Sequence, residues 1–380
     1  MPLKVLHVVG AMNRAGTETM LMNIYRNIDR RKIQFDFISY SSQDAHYDQE
    51  IKSLGGRVIK LSKTWSIKGI YDVIKQYGPY DVVHSHTLFH CGIANLAALF
   101  AGVKVRVAHA HTTLDKNNSY SRKMYIKSMR LMINTFSTDL LACSNKAGGY
   151  LYGENRLVKL KYSYFPNTID YSTFLQEPKI EITKFKMEEG LGNSLVIGHI
   201  GRFIEAKNHT FLLKIMKSVI KREPTIKLLL VGDGDLRERL ENEAKEQGLQ
   251  ENIRFVGIRN DISTMLHSMD VFIFPSLYEG LGLVLLEAQA SGLPCVVSEA
   301  IQPEADLKLG LVSKLSLVDG PDVWAQRILE VANKKETNTN KIIEAFEKNG
   351  YSLTRGITSL MNIYNYSDGG AHEKYNNRFL

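Results

Sequence analysis

Short runs of valine, isoleucine, leucine and phenylalanine alternate with segments of helical period along the whole chain. That alternation builds parallel sheets with helices on both faces. In the first half the runs fall at Lys4–Val9, Gln34–Ser39, Asp81–His84, Val103–Ala108 and Thr138–Ala142. In the second half they fall at Leu195–Ile200, Ile226–Val231, Asn252–Val256, Val271–Phe274 and Pro294–Val297. The same α/β architecture, a doubly wound parallel sheet, is therefore predicted twice. Between the halves, Gln176–Asn193 carries Pro178 and mixed charge without a strand pattern, as a domain boundary does. Residues 1–178 are assigned to an N-terminal domain and residues 179–366 to a C-terminal one. The last helical segment, Leu353–Tyr366, is expected to pack back toward the first domain, and residues 367–380 read as a polar tail.

Length supports the division, because 380 residues exceed the roughly 250–300 at which single cores stop growing. The opening MPLKVLHVVG suits a buried strand rather than a signal peptide. The weakly polar stretch Cys91–Val103 falls short of the roughly 18–20 residues of a spanning helix. Cys91, Cys143 and Cys295 are far apart and lack metal-ligand spacing, so a reduced, cytoplasmic protein is expected. The net charge of +8 is uneven, +11 over residues 1–175 and −3 beyond them. The basic half is compatible with nucleic acid, an anionic membrane surface or a phosphorylated acceptor.

In open α/β sheets, ligands bind in the loops after the strands, and three such loops carry candidate chemistry. The first, Gly10-Ala11-Met12-Asn13-Arg14-Ala15-Gly16, opens a helix. It matches neither dinucleotide nor P-loop patterns, and reads equally as an ordinary turn or a ligand loop. The second, Gly201-Arg202-Phe203-Ile204-Glu205-Ala206-Lys207, sets Arg and Lys five apart, either a solvated pair or a clamp on a diphosphate. The third, Pro275-Ser276-Leu277-Tyr278-Glu279-Gly280-Leu281-Gly282-Leu283, leads into a helix and carries two carboxylates, Glu279 and Glu287, eight apart. Its glycines and the helix N-terminus suit a phosphate. Glu287 is either a structural or a ligand-binding carboxylate, and the cost of burying an unpaired charge favours the second.

Together, Arg202, Lys207 and the E-x7-E pair Glu279 and Glu287 resemble the donor site of retaining family-4 glycosyltransferases, which fold as two Rossmann-like domains facing a cleft (GT-B). The similarity spans nearly the whole chain and includes Pro166–Asp170, Val231-Gly232-Asp233-Gly234 and Gly292–Val297. It is nearest to the bacterial exopolysaccharide and capsule group. The resemblance implies a nucleotide-sugar donor, UDP-linked, and a glycan or lipid-linked acceptor, with no cofactor. It assigns Arg202 and Lys207 to the diphosphate, Glu279 to the sugar, Glu287 to the ribose and Val256 and Gly257 to the base. Gly16, Gly280, Leu281, Gly282 and Leu283 complete the donor-binding set, and His111, or His109 in its place, is the active-site histidine. Two departures stand out: Thr168 where Gly is usual, and Gly282 where Pro or Phe is common.

Histidines 84, 86, 90, 109 and 111 would serve a zinc site if they converged. The resemblance assigns no metal, and Asp233-Gly234-Asp235, which mimics the D-x-D metal motif, is read as a helix start with Asp235 as N-cap. The segment Tyr120–Phe136 carries Arg122, Lys123, Lys127 and Arg130 among apolar residues. It is either a helix packed on the sheet or a peripheral contact with anionic lipid at the inner face of the cell membrane. The rival enzyme is a non-hydrolysing UDP-sugar 2-epimerase, which needs no acceptor. A nucleic-acid-binding module is disfavoured, because the basic residues are scattered and no recognition motif accompanies them.

Overall fold

The computed structural model describes residues 2–113, 119–154 and 162–364. The expected polar tail, residues 367–380, lies outside the described residues. Two compact units emerge, one of residues up to Thr168 with those from Gly350 onward, the other Ile169–Asn349. Residues 169–178 thus belong to the second unit, and the last helix to the first.

The first unit contains strands β1 (Leu3–Val9), β2 (Ile33–Ser39), β3 (Val58–Lys60), β4 (Val82–Ser85), β5 (Val105–Ala110), β6 (Asp139–Ala142) and β7 (Tyr162–Tyr164). Helices α1 (Gly16–Asn27), α2 (Asp48–Ser53), α3 (Ile67–Tyr77), α4 (Cys91–Ala101), α5 (Tyr120–Phe136) and α6 (Asn145–Tyr152) connect them. All pairings are parallel, in the order β3-β2-β1-β4-β5-β6-β7. The second unit follows with α7 (Lys179–Glu188), β8 (Val196–Ile200), α8 (His209–Ile220), β9 (Lys227–Val231), α9 (Arg237–Glu246), β10 (Ile253–Gly257) and α10 (Ile262–His267). It continues through β11 (Val271–Phe274), α11 (Leu283–Ala290), β12 (Cys295–Ser298), β13 (Val312–Leu315), α12 (Pro321–Val331) and α13 (Thr339–Lys348). Its parallel order is β10-β9-β8-β11-β12-β13. Helix α14 (Leu353–Ile363) closes the described chain.

In both sheets the order reverses beside the first strand, between β1 and β4 and between β8 and β11. Loops after those strands diverge, leaving the crevice that ligands occupy in doubly wound folds. The central strands are buried on both faces, Val5–Val9 and Val196–Ile200 throughout, which is why they read as largely apolar runs, interrupted by His7 in the first and by Gly198 and His199 in the second. In the second unit Leu212, Leu213, Leu228, Leu230, Ile273 and Trp324 form the core. In the first, Leu6, Val8, Val83, Ala94, Ala97 and Ile70 do so. Each large side chain so buried contributes about 1.5–3 kcal/mol.

Three strands escape the apolar pattern, β3, β7 and β13, with sequences VIK, YSY and VSKL. Each lies at a sheet edge, pairs on one side only and has no need of a continuous apolar run. Helix α5 packs on the core through a narrow strip and leaves the rest of its surface exposed. Only Ile133 is buried, with Met129 and Met132 packed against the core, while Tyr120, Met124 and Leu131 are exposed alongside Lys123 and Lys127. Its arginines are held instead: Arg122 lies over the rings of Tyr125 and Phe89, and Arg130 Nη2 donates to the carbonyl of Tyr150. Among the described residues no helix is long and apolar enough to cross a membrane.

Candidate functional site

In the second unit the candidate residues gather at the C-terminal ends of β8 and β11, the two sides of the switch point. The β8 loop turns back through Asn208, whose φ of +57° is left-handed, and Asn208 Nδ2 donates to the carbonyl of Pro275. The amide of Leu277 donates to the carbonyl of Ala206, so the two loops are stitched together. Across that seam Lys207 Nζ reaches Glu279 Oε1 at 2.7 Å and sits 4.6 Å from the centre of the Phe274 ring. Both charged side chains are largely sheltered, at 17% and 12% exposure, and sheltering strengthens the ion pair and the cation–π contact. Ser276 Oγ donates to the same carboxylate oxygen, at 2.7 Å. Behind it, Gln302 Nε2 donates to the Glu279 carbonyl and Ser298 Oγ to that of Ser276.

Phe274, Ser276, Ser298 and Gln302 were not anticipated. Two of them sit inside or beside the recognised loop, but a single phenylalanine, serine or glutamine has no spacing that marks it. Only the fold brings Gln302 to Glu279 and Ser298 to Ser276 from β12 and its loop. Arg202 is exposed, and no side-chain hydrogen bond holds it among the described residues.

Helix α11 begins after Gly282, whose φ of +88° and ψ of +67° are left-handed. A Cβ there would stand 2.9 Å from Phe274 Cε1, so the glycine both permits the turn and makes room for the ring under Lys207. Proline, with φ fixed near −65°, could not adopt this turn, which accounts for one departure from the family pattern. Leu281 and Leu283 are buried beside it, while Gly280 and Gly282 are partly exposed. Glu287 lies on α11, partly buried, and loss of solvation pushes its carboxyl up to about 7. Val256 and Gly257 end β10 in a bulge, with Gly257 at φ +70°.

The glycines of Val231-Gly232-Asp233-Gly234 support the Arg202 loop. Cβ atoms at Gly232 and Gly234 would stand 2.1 Å from the Gly201 oxygen and 2.7 Å from the Phe203 oxygen. Only bare backbone fits so close, and it lets Gly201 and Phe203 donate to the carbonyls of Val231 and Asp233. The capping role expected of Asp235 is corrected: α9 starts at Arg237 with Leu236 at its N-cap and no side-chain cap. Asp235 is exposed, and Asp233 Oδ1 instead accepts from the amide of Gly234.

Gly16 and His111 belong to the other unit. Gly16 is exposed at the start of α1. His111 follows β5 in a cluster of imidazoles. His7 Nδ1 lies 3.1 Å from His86 Nε2, and His86 Nδ1 lies 2.9 Å from His111 Nε2. His84 Nδ1 meets Tyr364 Oη at 2.7 Å, and the rings of His109 and His111 have centres 4.0 Å apart. Burial pulls His7 and His111 down to about 3 and lowers His84, His86 and His109 well below the usual histidine value. The convergence that a zinc reading requires is present: His7, His84 and His86, and again His86, His109 and His111, offer nitrogens within 4.8 Å of one another.

Two family descriptions match the chain, "Glycosyltransferase Family 4" over residues 14–172 and "Glycosyl transferases group 1" over residues 181–350. EpsF of Bacillus subtilis (strain 168) is 38% identical over 98% of both chains. The capsular polysaccharide biosynthesis glycosyltransferase CapH of Staphylococcus aureus is 29% identical, over 95% of this chain and 98% of its own. The Escherichia coli UDP-Gal:alpha-D-GlcNAc-diphosphoundecaprenol alpha-1,3-galactosyltransferase is 28% identical, over 79% and 78%. Among solved structures, Anabaena HepE in complex with UDP and glucose superposes with a TM-score of 0.79 at 18% identity, over 96% of this chain and all of that one. This chain belongs to the family-4 glycosyltransferases of the GT-B fold, enzymes of polysaccharide biosynthesis.

Proposed function

We propose that the enzyme transfers a sugar from a UDP-sugar, with retention at the anomeric carbon and without a metal, to a lipid-diphosphate-linked acceptor in exopolysaccharide or capsule synthesis. The observation that carries this reading is the sheltered Lys207–Glu279 pair on the Phe274 ring at the switch point. A cation so held is fixed in advance where a departing diphosphate gathers charge, and preorganised charge is worth more than charge that must reorient. Arg202 adds a second positive group, and the first N–H groups of α11, after Gly282, supply donors to phosphate oxygens. Glu279 meets the sugar hydroxyls, Glu287 the ribose, and the backbone at Val256 and Gly257 the base. His111 acts as the active-site histidine of the first unit. Departure of UDP and entry of the acceptor hydroxyl need no covalent enzyme intermediate. HepE, solved with UDP and glucose, and the E. coli relative, named for UDP-Gal and a lipid diphosphate, support the donor and acceptor classes.

The test is a panel of UDP-glucose, UDP-galactose, UDP-N-acetylglucosamine and GDP-mannose, each with and without an undecaprenyl-diphosphate-linked sugar. UDP release dependent on the acceptor, undiminished in excess EDTA, is expected, with an α-linked product by NMR. Loss of activity in EDTA restored by Mn²⁺ would return Asp233 and Asp235 to consideration. Conversion of UDP-N-acetylglucosamine with no acceptor present would mark an epimerase instead.

A further inference from the structure

The proposed transfer uses one histidine of the first sheet, yet five converge there. Residues two apart on a strand face the same side, which sets His84 in β4 with His86 just past its end, and His109 in β5 with His111 just past its end. One nitrogen from each of His86, His109 and His111 lies within 4.8 Å of the other two. His86 Nδ1 and His111 Nε2 are already 2.9 Å apart, near the roughly 3.3 Å that separates two nitrogens bound at about 2.0–2.1 Å to one tetrahedral ion. His109 is fully buried, and neither of its nitrogens has a hydrogen-bond partner among the described residues; His111 Nδ1 has none either. Leaving such groups buried and unpaired costs on the order of 1–3 kcal/mol each. A single cation would take up one of the unpartnered His109 nitrogens together with the facing nitrogens of His86 and His111.

The geometry points to a transition-metal site at His86, His109 and His111, built from imidazole alone, at which Zn²⁺ blocks transfer. On metal entry the facing nitrogens of His86 and His111 both present lone pairs. The ring protons then sit on His111 Nδ1 and on His86 Nε2, which donates to His7 Nδ1 at 3.1 Å and so fixes the ligand's orientation from behind. Neither histidine triad includes a carboxylate, which selects Zn²⁺, Co²⁺, Ni²⁺ or Cu²⁺ over Mg²⁺ and Ca²⁺. His86 and His111 retain partial exposure, giving an ion a route in. The blocking half rests on the reading of His111 as the active-site histidine; the binding half does not.

Titration of the tag-free full-length chain with Zn²⁺ by calorimetry, and with Co²⁺ by visible absorption, tests the site. One ion per chain is expected, with tetrahedral Co²⁺ bands and no heat from Mg²⁺. His109→Gln and His86→Gln should each weaken binding at least tenfold, while His46→Gln, at an exposed position outside the cluster, should not. Circular dichroism would show which variants fold, and the partly exposed His86 carries the test should His109→Gln fail to do so. Zn²⁺ at saturating concentration should abolish acceptor-dependent UDP release, reversibly with EDTA. Binding unchanged in both cluster variants, or none in the wild type, overturns the site. Zn²⁺ bound at the cluster with transfer at full rate overturns the blocking and, with it, the place of His111 at the sugar, while leaving the metal site standing.

Discussion

At Lys207 a single side chain makes an ion pair with Glu279 and lies over the Phe274 ring. Lys207→Ala removes both contacts and should lower turnover of the donor at least tenfold, about 1.4 kcal/mol or more. Glu287→Ala, which takes away the proposed ribose contact, should do the same, and steady-state kinetics with the preferred UDP-sugar would read both. Unchanged kcat/KM in the two variants would remove the donor site from this loop. These charged residues were singled out in the sequence through the resemblance of Arg202, Lys207, Glu279 and Glu287 to a family pattern, because a five-residue Arg–Lys spacing alone reads equally as a solvated pair. The supports were not legible, since Ser298 and Gln302 act through hydrogen bonds that exist only once β11 and β12 lie side by side, and Ser276 through a bond set by the turn of its own loop. Asp235 shows the opposite failure: a residue type suited to capping sits two positions before the helix, and local preference alone misplaced the start.

The strands buried on both faces were foreseen, and three of the four edge strands were missed; the fourth, β10, still showed itself through its apolar residues. Central strands announce themselves as apolar runs, whereas β3, β7 and β13 are short, edge-bound and mixed in polarity. Glycines can now be read for what they hold together. Gly232→Ala would drive a Cβ to 2.1 Å from the Gly201 oxygen, at a φ of +134°, and should displace the Arg202 loop. Weaker UDP binding by calorimetry and a lowered melting temperature are expected, whereas Gly248→Ser, in open surroundings but also at a positive φ, should lower the melting temperature and leave UDP binding unchanged. In α5 the exposed face carries Tyr120, Met124 and Leu131 with Lys123 and Lys127. Apolar side chains flanked by lysines suit the boundary of an anionic bilayer, each lysine contributing about 1 kcal/mol near the surface. Because Arg122 and Arg130 are engaged elsewhere, Lys123→Gln with Lys127→Gln should weaken co-sedimentation with anionic liposomes by an order of magnitude or more. Leu131→Ser should weaken it at all salt concentrations, and equal binding to neutral vesicles would refute the contact.

For the whole molecule, the two units differ in how protons act on their stability. Burial lowers five clustered histidines in the first unit, His7, His84, His86, His109 and His111, and lowers His90 less deeply. Their neutral forms fold well, so the stability they allow is present above the unfolded histidine value of about 6.5 and is lost as pH falls toward the folded values. Each contributes a slope of up to about 1.4 kcal/mol per pH unit in that window. In the second unit His199, His209 and His267 act in the same sense, but Glu287 opposes them. Its carboxyl rises from 4.5 to about 7, so its contribution is full below 4.5 and lost as pH rises through 7; acidification from 7 to 5 restores it. The first unit should therefore lose protection faster than the second between pH 7.5 and 5.5. Hydrogen exchange, corrected for its intrinsic pH dependence, would show this as a steeper fall for amides of β4 and β5 than for those of β8 and β11. Glu287→Gln should narrow the gap by steepening the fall in the second unit alone. Equal slopes in the wild type, or no effect of that substitution, would mean that solvent reaches the histidine cluster and the Glu287 carboxyl well enough to leave their titration near normal.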